Sequence, residues 1–515
     1  MRILWFLALR PTFANLMHND IVTLLKDAQG LLDAGNLSGA AGLYRAVLAR
    51  QPAEVNALAM LALIAQRMGR AELALQLTET ALQVAPERAA LWTNYATLQR
   101  QLERGDPVAA AEEALRRDPD SPEALDIAGY LAREAGRSER ACALHRRAVA
   151  LAPRNARLWA NYALALLTGH DPDAAVAAAE EATRLDPASA FAFMALGLAL
   201  RGAGDAVAAA PCFEQAATLQ PDYHDAAIQA AQTYLQLGDW EKGWHWWEQR
   251  RYDAARFAAL PRWQGQRVAH LLVHAEQGFG DSIHFLRFVP RLRACADQVT
   301  LQVPRPLRRL AALHLPNIAL IAPDEAVPQA DAHVPLMSLA HLLRLGPEEP
   351  PLALRADATE CAMWRDRLAG LREPRIGLVT AGNPKQVNDY NRSLPPALAA
   401  QLAAALPHQV SELRRDGSIV CGDATFRPDD FMATAAWMTA LDRIITVDTA
   451  AAHLAGSLGR PTWLLLSFDL DWRWGRDGET TGWYPGIRLF RQKKSGDWAD
   501  VVRRVLEALR EEPDN

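Results

Sequence analysis

The spacing of apolar positions divides the chain into two parts. From about Ile21 to Tyr252, apolar residues follow the period of amphipathic helices. From Val268 onward, short apolar runs typical of buried strands alternate with amphipathic helical stretches. The runs are VAHLLVHA, QVTLQV, IALIA and AHVPL, followed by RIGLVTAG, SIVCG, DRIITV and PTWLLLS. This alternation predicts parallel sheets covered by helices. The pattern therefore predicts an α-helical region followed by an α/β region.

The helical part repeats itself every 33 or 34 residues. Prolines keep this spacing at Pro52, Pro86, Pro119, Pro153, Pro187 and Pro221. Small residues let helices approach closely. They recur at this spacing in two ladders, Ala40, Ala74, Ala141, Ala175 and Ala209, and Ala81, Ala114, Ala148, Ala182 and Ala216. Glycines, which accept the positive φ of a turn, fall between the helices at Gly35, Gly69, Gly136, Gly204 and Gly238. Each period is therefore predicted to be a helical hairpin.

This period, with a proline closing each second helix, resembles the tetratricopeptide repeat. We predict six units and a degraded seventh over residues 20–255, after an N-terminal tail of residues 1–19. The third unit is one residue short and has Pro107 near its second helix, so we expect a local distortion there. Stacked hairpins form an α solenoid with a concave groove, which predicts a protein or peptide partner.

Two related motifs, LWTNYA and LWANYA, lie on first helices two repeats apart. Their asparagines, Asn94 and Asn161, are candidates for binding an extended peptide backbone. The alternative is that the motifs' aromatic residues serve packing between repeats. Four further tryptophans are interpreted as a cap on the solenoid rather than a sugar-binding platform: Trp240, Trp244, Trp246 and Trp247.

Composition and charge narrow the class of protein. A chain of 515 residues is long enough for several domains. Its formal net charge of -5 lacks the basic excess that nucleic-acid binding requires, so we expect no nucleic-acid partner. Five cysteines are scattered singly, which indicates neither a disulfide framework nor a zinc site.

Targeting signals are weak. No apolar stretch approaches the roughly 18 to 20 uncharged residues that cross a bilayer. The apolar opening MRILWFLALR is short, and no small-residue cleavage pattern follows it closely. We therefore expect a cytoplasmic protein without a transmembrane segment.

The α/β region is predicted to form two Rossmann-like lobes, residues 265–370 and 372–515. The Pro-rich, charged stretch that begins PEEPPLALRAD links them. Ligands of open α/β sheets bind beyond the carboxyl ends of strands. The two lobes should therefore face each other across a cleft.

The segment AEQGFGDSIHF follows the first strand of this region. Gly278 and Gly280 allow close approach of the backbone to a ligand. Asp281 stands where a carboxylate in the cleft would act as a base towards a hydroxyl. The alternative is that Asp281 only caps its helix.

The segment ITVDTAAAHLAGS predicts a strand, a turn and a helix. Asp448 and Thr449 lie at the strand end, and the small residues from Ala450 leave the amides of the helix N-terminus open to a diphosphate. His453 lies in the first turn, within reach of the same anion. The alternative is an ordinary buried crossover, in which the alanines serve close packing.

Between these segments, VTAGNPKQVNDYNRSLP follows the first strand of the second lobe. It contributes Gly382 and Asn383 and two cations, Lys385 and Arg392, that are candidates for neutralising a leaving diphosphate. Lys385 is equally well explained as a solvated loop charge.

These motifs together resemble the heptosyltransferase group, the family 9 glycosyltransferases. GDSIHFLRFVPRL and DTAAAHLAGSLGRPTW carry the resemblance, and AGNP, NRS, DWRW and WYP resemble a bacterial class in which tetratricopeptide repeats precede a shortened GT-B domain. The resemblance implies a catalytic base at Asp281. It also implies donor binding by Arg392, with Lys385 as a weaker candidate, and by the segment from Asp448 to His453. The chain departs from the group at Ala450, where glycine is usual, and in its small first lobe.

A cleft loop would complete the site. It comprises Gly278, Gly280, His284, Asp469 and Trp472, whose aromatic ring is interpreted either as a sugar platform or as packing.

The first functional hypothesis is an inverting glycosyltransferase that needs no metal or other cofactor. It would move a sugar from a nucleotide-sugar donor to an acceptor, a protein held by the repeats. The alternatives are an inactive repeat scaffold for protein–protein interaction and an enzyme like the protein O-GlcNAc transferases, which uses a UDP-sugar.

Overall fold

The computed structural model describes residues 20–384, 386, 389–406, 409–468 and 471–511. It divides the chain into two compact units, residues 1–221 and 222–515. The first consists of helical hairpins and the second is mainly α/β, which agrees with the predicted change of class.

The first unit is a succession of paired helices. In chain order they are α1 (Ile21–Asp33), α2 (Leu37–Arg50), α3 (Val55–Arg67), α4 (Ala71–Val84), α5 (Ala89–Gln101), α6 (Pro107–Arg117), α7 (Pro122–Glu134), α8 (Ser138–Leu151), α9 (Ala156–Thr168), α10 (Pro172–Leu185), α11 (Ala190–Gly202) and α12 (Ala206–Leu219).

The turn inside each hairpin is built from repeated chemistry. All five glycines predicted there have positive φ, between 70° and 87°. His170 takes the same position after α9 without being glycine, at φ 62°. An acidic or amide side chain often caps the second helix, as Asp205 does by accepting from the Ala208 N–H at 2.9 Å. The hairpin prediction is confirmed.

Close helix packing explains the small-residue ladders. Every alanine in both ladders is fully buried. The third unit accommodates its missing residue in two places. Pro107 stands at the start of α6, where the lost N–H is not needed, and this helix has 11 residues where α4 has 14. Glu103 and Gly105 in the preceding turn both have positive φ. The difference from the other units therefore lies in the turn and in the length of α6.

The second unit begins with the seventh hairpin, α13 (His224–Gln236) and α14 (Trp240–Trp247). Its remaining helices are α15 (Phe279–Phe285), α16 (Arg308–His314), α17 (Leu339–Leu342), α18 (Ala358–Arg367), α19 (Asp389–Arg392), α20 (Pro396–Ala404), α21 (Phe431–Thr439), α22 (Ala450–Ser457) and α23 (Trp498–Glu511). Its strands are β1 (Val268–His274), β2 (Ala296–Gln302), β3 (Ala319–Ile321), β4 (Ala332–Pro335), β5 (Ile376–Val379), β6 (Val410–Leu413), β7 (Ile419–Cys421), β8 (Ala424–Phe426), β9 (Arg443–Val447), β10 (Thr462–Leu466) and β11 (Ile487–Arg491).

The strands form two separate sheets. The first has the order β3-β2-β1-β4 and is parallel. The second has the order β11-β10-β9-β5-β6-β7-β8. It is parallel from β11 to β6.

One edge of the second sheet differs from the prediction. We expected the segment SIVCG to continue the parallel alternation, but β7 pairs antiparallel with both β6 and β8. The turn before β7 places Gly417 at φ 79°, and the turn after it places Gly422 at φ 57°. Tight turns of this kind join neighbouring antiparallel strands, whereas a parallel pair requires a long crossover.

The seventh hairpin packs on the α/β fold through aromatic rings. Trp244 lies 5.2 Å from Trp472 between ring centroids, and Trp240 lies 5.4 Å from Trp483. Behind this cluster, the buried Arg250 donates to Glu276, which follows β1, at 2.6 Å. Trp244 and Trp247 are therefore core residues of the second unit, and the partly buried Trp240 and Trp246 pack against that core.

Two further observations concern the cysteines and the apolar length of the helices. All five cysteines are free thiols. Among the described residues, no helix is long and apolar enough to cross a membrane.

Candidate functional site

The turns after β1 and β9 bring the two predicted segments together. Gly280, near the start of α15, packs directly on the start of α22. A Cβ at Gly280 would lie 2.8 Å from His453 Cδ2 and 3.3 Å from Ala450 Cα. The two turns therefore meet. At this level they are in direct contact and do not face each other across an open gap.

Asp281 is held by its own loop and by a buried arginine. Its Oδ2 accepts from the Gly278 N–H at 3.2 Å, which makes the helix cap that we considered as the alternative. Its Oδ1 accepts from Arg473 Nη2 at 2.6 Å. The side chain keeps 24% of its surface exposed. The carboxylate thus caps α15 and still reaches the surface.

Arg473 is the centre of a carboxylate cluster that the sequence did not single out. Its Nη1 donates to both oxygens of Asp471 at 2.9 Å, and its side chain is only 4% exposed. Its Nε finds no acceptor among the described residues. The signal was present in the DWRW motif, but nothing in the sequence indicated that this arginine would meet Asp281.

Burial and like charges set the titration of the carboxyls. Burial raises the pKa of Asp281, and the Arg473 guanidinium opposes that shift. Burial and repulsion by Asp471 raise the pKa of Asp448 to about 7, against the opposing charges of Arg473 and Arg392. The resemblance placed Asp448 in the donor-binding segment and gave no indication of this shift. The structure gives it a carboxyl that titrates near neutral pH.

Thr449 uses part of the helix N-terminus that was expected to be open. Its hydroxyl oxygen accepts from the Ala451 N–H at 3.3 Å, and its carbonyl accepts from the Ala452 N–H at 3.0 Å. Thr449 is therefore the N-cap of α22. Ala450 begins the helix beside Gly280, so fewer amides than predicted remain for a ligand.

The two histidines form a buried polar network. The Tyr484 hydroxyl lies 3.0 Å from His284 Nδ1 and 3.1 Å from His453 Nδ1. Burial lowers the pKa of both imidazoles well below the ordinary value, with the nearby arginines adding to the effect. Both rings are therefore neutral at neutral pH. His453 was predicted to lie within reach of an anion, and as a neutral ring it brings no positive charge there.

Arg392 lies in a second cluster around a buried acid. Its Nε donates to Asp389 Oδ1 at 3.3 Å, and Arg415 pairs with the other oxygen at 3.1 Å. A Cβ at Gly382 would lie 2.4 Å from Asp389 Oδ1, so a side chain there would displace the Asp389 carboxylate. Arg392 is close enough to Asp448 to lower its pKa. Asn383 is exposed in the same loop.

The structure gives Trp472 a packing role. Trp472 is 2% exposed and packs among tryptophans, so it is a core residue and not a sugar platform. Lys385 and Asp469 lie outside the described residues.

The groove asparagines differ from each other. Asn161 Nδ2 donates to Asp126 of the preceding hairpin at 2.8 Å, so it links repeats. Asn94 is half-buried, and its side chain makes no hydrogen bond to the part of the chain that the structure describes. The motif tryptophans donate locally, Trp92 to the Pro86 carbonyl and Trp159 to the Pro153 carbonyl. This supports the packing interpretation for the aromatic residues and leaves Asn94 as the groove candidate.

Comparison with known proteins identifies the first part of the chain. The Tetratricopeptide repeat family matches residues 25–89, 128–190, 161–224 and 194–242. These residues carry tetratricopeptide repeats. Repeats of this type bind proteins and peptides.

Two curated proteins are similar to the chain. Protein FlbA of Caulobacter vibrioides is 25% identical over 443 residues, which cover 76% of this chain and 73% of FlbA. The last repeat match ends at residue 242, in the first half of the chain. A similarity that covers 76% of the chain therefore extends into the α/β region. The Hsp70-Hsp90 organizing protein of Triticum aestivum is 40% identical over 93 residues, covering 18% of this chain and 16% of that protein.

Solved repeat proteins are also similar. A tetratricopeptide repeat protein from Parabacteroides merdae is 17% identical, with a TM-score of 0.36, over 44% of this chain and 91% of that one. YrrB, described as a TPR protein with an unusual peptide-binding site, is 19% identical, with a TM-score of 0.28, over 36% of this chain and 96% of its own.

Proposed function

We propose that the repeats bind a protein and that the α/β unit transfers a sugar to it from a nucleotide-sugar donor. One observation carries the proposal: the turns at the carboxyl ends of β1 and β9 meet at Gly280 and bring Asp281, Asp448 and Arg473 together. Crevices beyond the carboxyl ends of strands are where α/β sheets bind ligands. Clustered titratable groups with shifted pKa values support a reacting site there.

The proposed chemistry is a single displacement. Asp281 takes the proton of an acceptor hydroxyl, whose oxygen forms a bond to the anomeric carbon as the bond to the donor phosphate breaks. The departing diphosphate keeps the bonding electrons, and the anomeric configuration inverts. The start of α22 and Arg392 stabilise its charge, so the reaction needs no metal ion or other cofactor.

The experiment is a nucleotide titration of the full chain followed by a transfer assay. UDP, GDP, ADP and CMP are titrated calorimetrically in the presence of EDTA, and at least one is expected to bind. Saturation at 100 times Kd should stabilise the second unit by about 2.7 kcal/mol. Asp281→Asn should abolish transfer to a captured protein, read as added mass, while nucleotide binding persists. Normal transfer by this variant would remove Asp281 as the base.

A scaffold without catalysis is the second candidate, and one observation favours it. The charged groups of the site are already paired within the protein: Asp281 with Arg473, and Arg392 with Asp389. In that case none of the four nucleotides binds, and only the repeats select a partner. Binding of UDP alone would instead favour an enzyme of the O-GlcNAc transferase type.

The free cysteines support a further proposal, that the protein works in the reducing cytoplasm. The protein partner is proposed to contact the groove near Asn94. Asn94→Ala should then weaken its capture, whereas Asn161→Ala should act mainly through repeat stability, because its amide is bonded to Asp126.

A further inference from the structure

Arg473 offers a charged group that the proposed reaction does not yet use. It is almost fully buried, yet only two of its three nitrogen positions are satisfied, by Asp281 and Asp471, and Nε has no acceptor among the described residues. A buried donor without a partner costs free energy. Its hydrogen bond to Asp281, the neighbour of Gly280 at the contact with α22, places Arg473 near the region proposed for the diphosphate.

Asp281 has the opposite problem, because both of its carboxylate oxygens already accept hydrogen bonds. A carboxylate that accepts a charge-assisted hydrogen bond from a guanidinium is a poor base, because the proton it would take competes with the arginine. Its second oxygen is also engaged, by the Gly278 N–H. To act as a base, Asp281 must therefore be released from Arg473.

Both difficulties have one solution. We propose, building on the function proposed above, that Arg473 exchanges partners: it leaves Asp281, binds the donor's phosphate oxygens, and so frees the Asp281 carboxylate only when the donor is in place. Arg473 remains attached to Asp471 throughout, which limits its movement to a rotation about that pair. A planar guanidinium suits this role, since it binds carboxylate and phosphate oxygens with the same fork of N–H groups.

The exchange predicts an unusual sign for one variant. If Asp281 competes with the donor for Arg473, removing its charge should tighten nucleotide binding. Asp281→Asn keeps the shape and can still accept from the Gly278 N–H, so the fold should be preserved. We expect Kd for the bound nucleotide to fall about threefold to tenfold, because a charge-assisted hydrogen bond no longer has to be broken.

The experiment is calorimetric titration of the full-length protein with whichever of UDP, GDP and ADP binds, and with inorganic pyrophosphate. Arg473→Gln is expected to weaken binding about tenfold or more, and Arg473→Lys less, since lysine keeps the charge but not the fork. Arg305→Gln is the matched control: Arg305 is an exposed arginine paired with Asp324 in the same unit, and its loss should not change Kd. Melting curves of each variant establish that the site is folded.

The outcomes separate the two proposals. Tighter binding by Asp281→Asn supports the exchange, and this holds even if Arg473→Gln does not fold. Unchanged or weaker binding by Asp281→Asn, with normal binding by the wild type, overturns the exchange and leaves the transferase proposal standing. If the wild type binds none of UDP, GDP, ADP, CMP and pyrophosphate, the transferase proposal itself fails.

Discussion

At the scale of single residues, the hairpin turns show how backbone conformation selects glycine. His170 has φ 62° where equivalent turns have glycine, as at Gly204 with φ 87°. A non-glycine residue in this conformation costs roughly 1 to 2 kcal/mol of folding free energy. Glycine avoids that strain, but the greater entropy of its unfolded chain offsets part of the gain. We therefore expect His170→Gly to raise the free energy of unfolding of the first unit by up to about 1 kcal/mol.

Gly204→Ala is the reverse change, from glycine to a residue with a side chain, in an equivalent turn. Apart from the adjoining residues, no atom in the described part of the chain lies within 4 Å of the added Cβ, so we attribute the expected, similar loss of stability to backbone strain. Thermal and urea unfolding followed by circular dichroism measure both variants. Equal melting of His170→Gly and wild type would show that the turn relaxes around the histidine.

Asp448 makes the stability of the second unit depend on pH. Its pKa rises from 3.8 to about 7 on folding, chiefly through burial, so the folded state favours the protonated acid. The stabilisation is fully present below the unfolded pKa of 3.8 and is lost as pH rises through about 7. Asp448→Asn should therefore melt higher than wild type at pH 8 and show little difference at pH 4. Melting temperatures across pH 4 to 9 test this, and a constant difference over the range would contradict it.

At the scale of elements, α15 and α22 depend on a residue without a side chain. A Cβ at Gly280 would meet His453 Cδ2 at 2.8 Å and the Ala450 backbone at 3.3 Å. The two helices must separate to admit it, which costs on the order of 1 to 3 kcal/mol. Gly280→Ala should lower the melting temperature of the second unit and weaken nucleotide binding. Gly486→Ala, where the nearest atom would be 3.9 Å away, is the control and should have little effect.

Some of the helices and strands could be predicted from the sequence, and others could not. The hairpins and the strands β1 to β5, β9 and β10 were predictable because each has a clear apolar period or a buried run between turn residues. β6, β8 and β11 were missed, and β7 was assigned the wrong pairing. The Asp416–Gly417 pair that turns the chain before β7 is a hairpin signal, and the arrangement of the strands that it joins depends on contacts distant in sequence.

The candidate site, too, was predictable only in part. The backbone turns that hold Asp281 and Thr449 follow from local sequence, whereas the direct contact between them was not predicted. The pairing of Asp281 with Arg473 joins residues 192 positions apart, and the burial that moves the pKa of Asp448 depends on the whole unit. Tertiary contacts of this kind leave no local pattern.

At the scale of the whole molecule, the seventh hairpin determines where the second unit begins. The repeat period assigns α13 and α14 to the solenoid, but the tryptophans of α14 pack with Trp472 and Trp483. These two rings follow β10 and lie in the hydrophobic core of the α/β fold. A fragment that begins at Asp222 should therefore fold, and one that begins at Tyr252 should expose a large aromatic surface and aggregate.

Single substitutions distinguish this packing role from a loss of chain length. Trp244→Ala in the fragment beginning at Asp222 should cost about 3 to 5 kcal/mol, the usual loss for a buried tryptophan. Trp246→Ala, on the same helix but only partly buried, should cost less. Differential scanning calorimetry and light scattering of the two fragments and two variants provide the measurement. If the shorter fragment melts cooperatively at the same temperature as the longer one, α13 and α14 contribute nothing to the second unit and belong functionally to the repeats. If it aggregates while the longer fragment binds nucleotide, the hairpin is a structural part of the proposed transferase.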